Sequence, residues 1–296
     1  MSQRARWALV VIALAGPVMT SAIGAAPAAA QDARAAEQAE AAYRRAVAHR
    51  RAGQLDEAAA AAEEAIRLRP THAAAHFTLG AVRRQQNRLD DALVSFRRVA
   101  ELEPQSQEAQ AMIGAVLARL NRCDEAVPAL RRAVELRAQD AASWGNLGAC
   151  LRRLRRVDEA IHAYELALVQ LPDDPDLLNN YAVALRQAGR PEEAIAALEG
   201  AMARHPDSPD VHLNLAIAYR SIQRYPEAAR EYEAWYALVP APSDPGPLFD
   251  LGFCYEQTNR REDAVRIYRV YQGLVRGHDQ GGTDRVAERL QGLGAP

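Results

Sequence analysis

Residues 144–172 read WGNLGACLRRLRRVDEAIHAYELALVQLP, and this stretch decides the fold. Gly148 sits near the middle of one helical segment and Ala160 near the start of a second; small residues at both points let two helices approach closely and pack as a hairpin. Pro172 forbids the second segment from continuing. Working outward, the same features recur. Ala58, Ala92, Ala126, Ala160, Ala194 and Ala228 are each 34 residues apart, and Ala264 follows after a gap of 36. A period of this length predicts stacked helical hairpins, an architecture that supplies a binding surface rather than an active site.

Ala46, Gly80, Gly114, Gly148, Ala182, Ala216 and Gly252 repeat the small residue of the first helix. Gly53, Asn87, Asn121 and Gly189 mark the turns between helices, because they tolerate the left-handed backbone that ends a helix. Prolines close five units, at Pro70, Pro104, Pro172, Pro206 and Pro240, whereas Ala138 and Arg276 stand at that position elsewhere. Trp144, Leu147, Gly148, Leu151, Ala160, Tyr164 and Pro172 keep the order W-x2-L-G-x2-L, A-x3-Y, P, which resembles the tetratricopeptide repeat (TPR) family. The resemblance implies an all-α, right-handed α-solenoid of about seven TPR hairpins, starting near Ala39, Ala73, Gln107, Ala141, Pro175, Pro209 and Pro245. The expected organisation is a signal peptide over 1–30, the solenoid over 31–278, and a break with a short C-terminal capping helix over 279–296.

The chain ends carry their own signals. Arg4 and Arg6 precede the apolar run Trp7 to Ala15, and Ala28-Ala29-Ala30 offers a small-residue cleavage site before Gln31. This pattern predicts a cleaved signal peptide and a periplasmic or secreted protein, with no membrane insertion after cleavage. The alternative is an uncleaved inner-membrane anchor, since no charge occurs between Trp7 and Gln31. Asp32 to Arg51 reads as one continuous helix extending the first hairpin. Near the other end, Gly277 to Gly282 reads as a flexible break and Thr283 as the N-cap of a helix with Val286, Leu290 and Leu293 on one face.

All 36 basic residues are arginine, and against 38 acids they leave a net charge of −2. Cleavage after Ala30 would shift the balance to −4, because Arg4 and Arg6 leave with no acid. A net acidic chain disfavours phosphate-backbone binding, so Arg152, Arg153, Arg155 and Arg156 read as a solvated turn and nucleic acid is not an expected partner.

Two rows on the first helices are candidate binding residues. Asn146, Asn180 and Asn214 are spaced by 34 and so stack in register. In the TPR array of O-GlcNAc transferase, asparagines at this repeat position form a ladder on a peptide main chain, and the resemblance implies that role here. A side-chain amide donates and accepts together, and so pairs with a peptide group whatever its sequence. Met112 and Asp250 replace asparagine in flanking repeats. The second row is Arg50, Arg84, Arg152, Arg186 and Arg220, ended by Glu256; it lies about 120° around the helix from the first, at ~100° per residue. Ala149, Val183 and Ile217 form a small, apolar floor between the rows. Such a trough suits an extended peptide, with arginine available to pair acidic side chains or a terminal carboxylate. The competing reading of the arginines is a cation in the last helical turn, favoured by the helix dipole.

Cys123 and Cys150 fall at ends of antiparallel neighbouring helices, where a disulfide and a pair of buried thiols are both open readings. The three cysteines are too few and too spread for zinc, and His72 with His76 lacks a third ligand, so neither metal nor cofactor is expected. Residues 31–296 contain no nucleophile elbow, HExxH, phosphate-binding glycine loop or CxxC pair. The expectation is a non-catalytic scaffold or adaptor that binds a protein or extended peptide in the bacterial envelope. The alternatives are a self-associating structural module, carried by exposed Phe249, Phe253 and Tyr271, and a regulatory subunit of an envelope assembly; the oligomeric state stays open.

Overall fold

The structure is a computed structural model that describes residues 25–295, with side chains from residue 31 onward. The expected signal peptide therefore lies mostly outside the described residues. Fifteen α-helices and no strands occur among those described: α1 (Ala25–Arg51), α2 (Leu55–Leu68), α3 (Ala73–Gln85), α4 (Leu89–Leu102), α5 (Gln107–Arg119), α6 (Cys123–Leu136), α7 (Ala141–Arg153), α8 (Val157–Gln170), α9 (Pro175–Gln187), α10 (Pro191–Arg204), α11 (Pro209–Ser221), α12 (Tyr225–Leu238), α13 (Gly246–Gln257), α14 (Arg261–Val275) and α15 (Gln280–Gly292). The fold is an all-α solenoid of helical hairpins with a short terminal helix. The chain divides between Ala75 and His76 into two compact units.

In the first unit α1 packs along α2 through alanine: Ala39, Ala42, Ala46, Ala58, Ala62 and Ala65 are fully buried. The helix α1 begins at Ala25, earlier than the Asp32 expected from sequence. Arg45 donates to Glu64 at 2.8 Å across this hairpin, and the Tyr43 ring lies 5.0 Å from that of His72.

The second unit owes its hairpins to a knob and a gap recurring together. Phe96, Leu130, Tyr164, Leu198, Tyr232 and Tyr268, all fully or almost fully buried, lie on the second helices at the repeat spacing. Four face glycine. A methyl group built on Gly80, Gly114, Gly148 or Gly252 would stand within 2.8 Å of the Phe96, Leu130, Tyr164 or Tyr268 side chain, respectively. Each buried knob contributes roughly 1.5–3 kcal/mol of apolar burial, which requires a partner helix with no side chain in the way. Hairpins stack in succession, α4 on α5, α6 on α7, α8 on α9, α10 on α11 and α12 on α13, and one continuous core runs from Ala81 to Leu290.

Every turn between paired helices has the same geometry. Gly53, Asn87, Asn121, Arg155, Gly189, Gln223 and Asn259 have φ between 56° and 76°. At each, two backbone bonds close the helix end, as in Asn121 N–H to Ala118 O at 3.1 Å and Arg122 N–H to Leu117 O at 2.9 Å. This is the Schellman arrangement. The sequence marked Gly53, Asn87, Asn121 and Gly189, but not Arg155 or Gln223, whose side chains are poorly suited to the left-handed region. An L-residue there costs roughly 1–2 kcal/mol, part of which glycine loses again to unfolded-chain entropy. Arg155→Gly is therefore expected to stabilise the chain by about 0.5–1 kcal/mol; a urea midpoint that falls would refute this account of the turn.

The residue after each of these turns, from the second hairpin on, is arginine, and it pairs with an acid three residues along. The pairs are Arg88–Asp91, Arg122–Glu125, Arg156–Glu159, Arg190–Glu193, Arg224–Glu227 and Arg260–Asp263, at 2.6–2.8 Å. These pairs are solvated and each contributes little to stability. They do place an acid in the first turn of every second helix, where the helix dipole favours it.

Two expectations for the C-terminus need correction. The N-cap of α15 is Asp279, not Thr283: its carboxylate accepts from Gly282 N–H at 2.9 Å, so Gly281 and Gly282 are helical and the break is confined to the residues around Gly277, whose φ is 85°. Nor are the last hairpin's aromatics an open surface. Tyr271 is buried, Phe249 packs on Tyr268 and Tyr271, and Phe253 lies between Tyr225 and the Arg289 guanidinium. The terminal helix α15 packs on α14, burying Val286 and Leu290, and carries Arg289 over the Phe253 ring.

Candidate functional site

First helices of successive hairpins lie side by side in the second unit, α5 by α7, α7 by α9 and α9 by α11. This neighbourhood turns a 34-residue spacing into a spatial row. Gly145 sets the approach of α7 to α9, since a methyl group there would stand 2.8 Å from Leu177 Cδ2. The gap opens into a cleft of about 310 Å³ lined by Asn146, Ala149, Leu177 and Asn180, with Asp174 and Asp176 at its margin.

The structure thus joins Asn146, Ala149 and Asn180 in one cleft, and leaves Asn214, Val183 and Ile217 outside it. The amides also differ. Asn146 makes no side-chain hydrogen bond among the described residues, whereas Asn180 Nδ2 donates to its own helix, to Asp176 O at 2.8 Å. Asn214 Nδ2 donates twice, to Asp210 O at 3.0 Å and Asn179 Oδ1 at 2.8 Å. Both donors of Asn214 are therefore in use, and only its carbonyl is free for a ligand. Val183 and Ile217 are half-buried, and Ile217 packs on the core.

The arginine row converges more tightly than helix-end placement alone requires. Arg152, Arg186 and Arg220 are half-buried. Burial first, and then the neighbouring charges of Arg220 and Arg152, push the Arg186 guanidinium below its usual range. Arg186 feels both neighbouring cations, and the acid paired with Arg220 is Asp250, 3.3 Å away. Burial raises the Asp250 carboxyl, and the Arg220 charge and the Tyr232 hydroxyl only partly offset it. Tyr232 donates to Asp250 at 3.3 Å. The Arg152 guanidinium lies beside the Tyr164 hydroxyl, yet Arg152 Nε, Tyr164 Oη and Arg220 Nε are buried without a hydrogen-bond partner. Sequence reasoning found the arginines but missed Tyr164 and Tyr232, the second-helix residues against which two of them rest. Their shared A-x3-Y pattern, Ala160 with Tyr164 and Ala228 with Tyr232 two periods later, was the available signal.

The turn arginines are less uniform than one solvated cluster. Arg153 donates to Ala118 O at 2.9 Å, Arg156 pairs with Glu159, and Arg155 is exposed in the left-handed region. Cys123 opens α6, and its sulfur lies 2.6 Å from that of Cys150 in α7, both buried.

Three family profiles match consecutive parts of the chain. Residues 43–109 and 107–140 match tetratricopeptide repeat profiles, and residues 124–245 match the profile of the cytochrome c-type biogenesis protein H TPR domain. The chain belongs to the tetratricopeptide repeat family. Among solved structures it is similar to YrrB, titled a TPR protein with an unusual peptide-binding site, at 26% identity and a TM-score of 0.53, over 56% of this chain and 86% of that one. PilF of Pseudomonas aeruginosa aligns at 19% identity and a TM-score of 0.62, over 73% and 97%. A tetratricopeptide repeat protein from Parabacteroides merdae aligns at 14% and 0.62, over 87% and 99%. The last two likenesses show the fold alone. No curated protein matches the sequence.

Proposed function

We propose that this chain is a non-catalytic TPR adaptor of the bacterial envelope that holds an extended, carboxylate-bearing segment of a partner protein against its first helices. The observation that carries the reading is the α7–α9 cleft, where the Asn146 and Asn180 amides flank the small Ala149. Amides there can meet a peptide main chain, and the guanidiniums of Arg152, Arg186 and Arg220 can meet its carboxylates. The peptide-binding site named for YrrB supports the binding role. Support for the envelope comes from the cytochrome c-type biogenesis profile and from the basic, apolar, small-residue pattern of residues 1–30. No described helix is long and apolar enough to cross a membrane.

The test uses peptides selected on the chain from a display library, with affinity measured by calorimetry. Asn146→Ala, Asn180→Ala and Asn214→Ala together should leave helicity intact and weaken binding at least tenfold, since each lost hydrogen bond contributes about 0.5–1.5 kcal/mol. Asn146 should account for the largest share and Asn214 for the smallest, in the order of their free donors. Equal affinity for the triple variant would remove the asparagine row from the site.

A further inference from the structure

We propose that Cys123 and Cys150 are a redox-active pair, closed into a disulfide by exchange with an anionic low-molecular-weight disulfide of the glutathione class. Three features carry this. The two sulfurs already stand 2.6 Å apart; a bond needs them only about 0.6 Å closer. Only one of them borders open space: Cys123, although just 4% exposed, lines a cleft of about 440 Å³, whereas Cys150 is fully buried and does not line it. That cleft is fringed by Arg152, Arg153 and Arg155 against one carboxylate, Asp124, so it favours a reagent carrying negative charge. Cys254 is buried, and its sulfur makes no contact with another cysteine, so the pairing is unambiguous.

The geometry orders the steps. Only Cys123 borders the cleft, so it meets the reagent first; burial and the neighbouring Cys123 sulfur push the Cys150 thiol up, with the Arg153 charge opposing. The Cys123 thiol releases its proton, and its sulfur attacks one sulfur of the reagent. The reagent S–S bond breaks, one glutathione leaves as thiolate, and a mixed disulfide remains on Cys123. Cys150 then releases its proton and attacks Cys123 Sγ, expelling the second glutathione thiolate. Two protein thiols are oxidised and one external disulfide is reduced to two thiols, which take up the two protons. The product bond ties the start of α6 to the last turn of α7 and closes the ring over residues 123–150.

The full chain is equilibrated in glutathione redox buffers, quenched with an alkylating agent and mapped by mass spectrometry without reduction. The expected result is a Cys123–Cys150 linked peptide with Cys254 alkylated, together with a thermal midpoint raised by about 5 °C or more relative to the reduced protein. Cys150→Ser should instead trap a glutathione adduct on Cys123, and cystamine, a cationic disulfide, should react more slowly than oxidised glutathione at low salt. Alkylation of both Cys123 and Cys150 in fully oxidising buffer would overturn the pair, provided the guanidinium-unfolded chain oxidises there. Cystamine reacting as fast as glutathione would overturn the anionic reagent. None of these outcomes depends on peptide binding.

Discussion

Arg186→Glu is expected to reduce affinity for an acidic peptide by a hundredfold or more. The reason is the company Arg186 keeps. It stands between two other half-buried guanidiniums whose charges already disfavour its own, and Asp250 pairs with Arg220 rather than with Arg186. A carboxylate arriving from a partner relieves that repulsion and makes charge-assisted hydrogen bonds, each contributing about 1.5–3 kcal/mol. Glutamate at 186 removes the central donor and places a resident carboxylate beside Arg152 and Arg220, so the incoming anion meets a site already neutralised. The same change should leave the fold as stable as before or slightly more so, which separates a binding defect from a folding one. Calorimetry across a salt series checks both parts. Wild-type affinity should fall as ionic strength rises while the variant stays flat and weak; undiminished affinity in the variant would show that the row serves only the helix ends.

The second large effect is on stability, and it changes sign between two glycines in one fold. Gly148→Val should cost about 3 kcal/mol, at the upper end of overpacking penalties. A Cβ at Gly148 would lie 2.8–2.9 Å from three carbons of the Tyr164 ring, and that ring is fully buried with no room to retreat. In α10, by contrast, Gly200 has as its nearest obstacle the flexible end of Arg204 at 3.9 Å. Gly200→Ala should therefore stabilise by about 0.5–1 kcal/mol through helix propensity alone. Denaturant titration of both variants tests the packing account: a tolerated Gly148→Val would mean that the hairpin can spread and that the close approach is incidental.

The extent to which this molecule was legible from its sequence follows from which properties depend on spacing. Packing depends on it directly, so alanine and glycine at a fixed interval were enough to place the hairpins, and the Trp144 repeat was enough to name their type. Turn geometry was legible only where the residue advertised it. Asn121 and Gly189 did, whereas Arg155 and Gln223 take the same left-handed backbone because the surrounding repeat imposes it. Side-chain chemistry was the least legible. Asn146, Asn180 and Asn214 are identical in the sequence, yet rotamers and neighbours leave the first unengaged and occupy both donors of the third. Thr283 looked like a cap because its residue type suits one, but Asp279 reaches Gly282 first. Phe249 and Phe253 looked exposed because residue type alone did not show that Phe249 packs on Tyr268 and Tyr271 or that Arg289 of α15 reaches over Phe253.

The junction that recurs between hairpins affects how such a gene can change length. Asp140 precedes α7 and Asp174 precedes α9, both at the N-cap position, although only Asp174 caps with its side chain, accepting from Leu177 N–H. Excising residues 141–174 would join Asp140 to Pro175, so the splice would restore the aspartate-to-helix junction it interrupts, and an inserted period would do likewise. Recombination between such copies meets no mismatched seam, and the chain can lengthen or shorten its surface in steps of one hairpin.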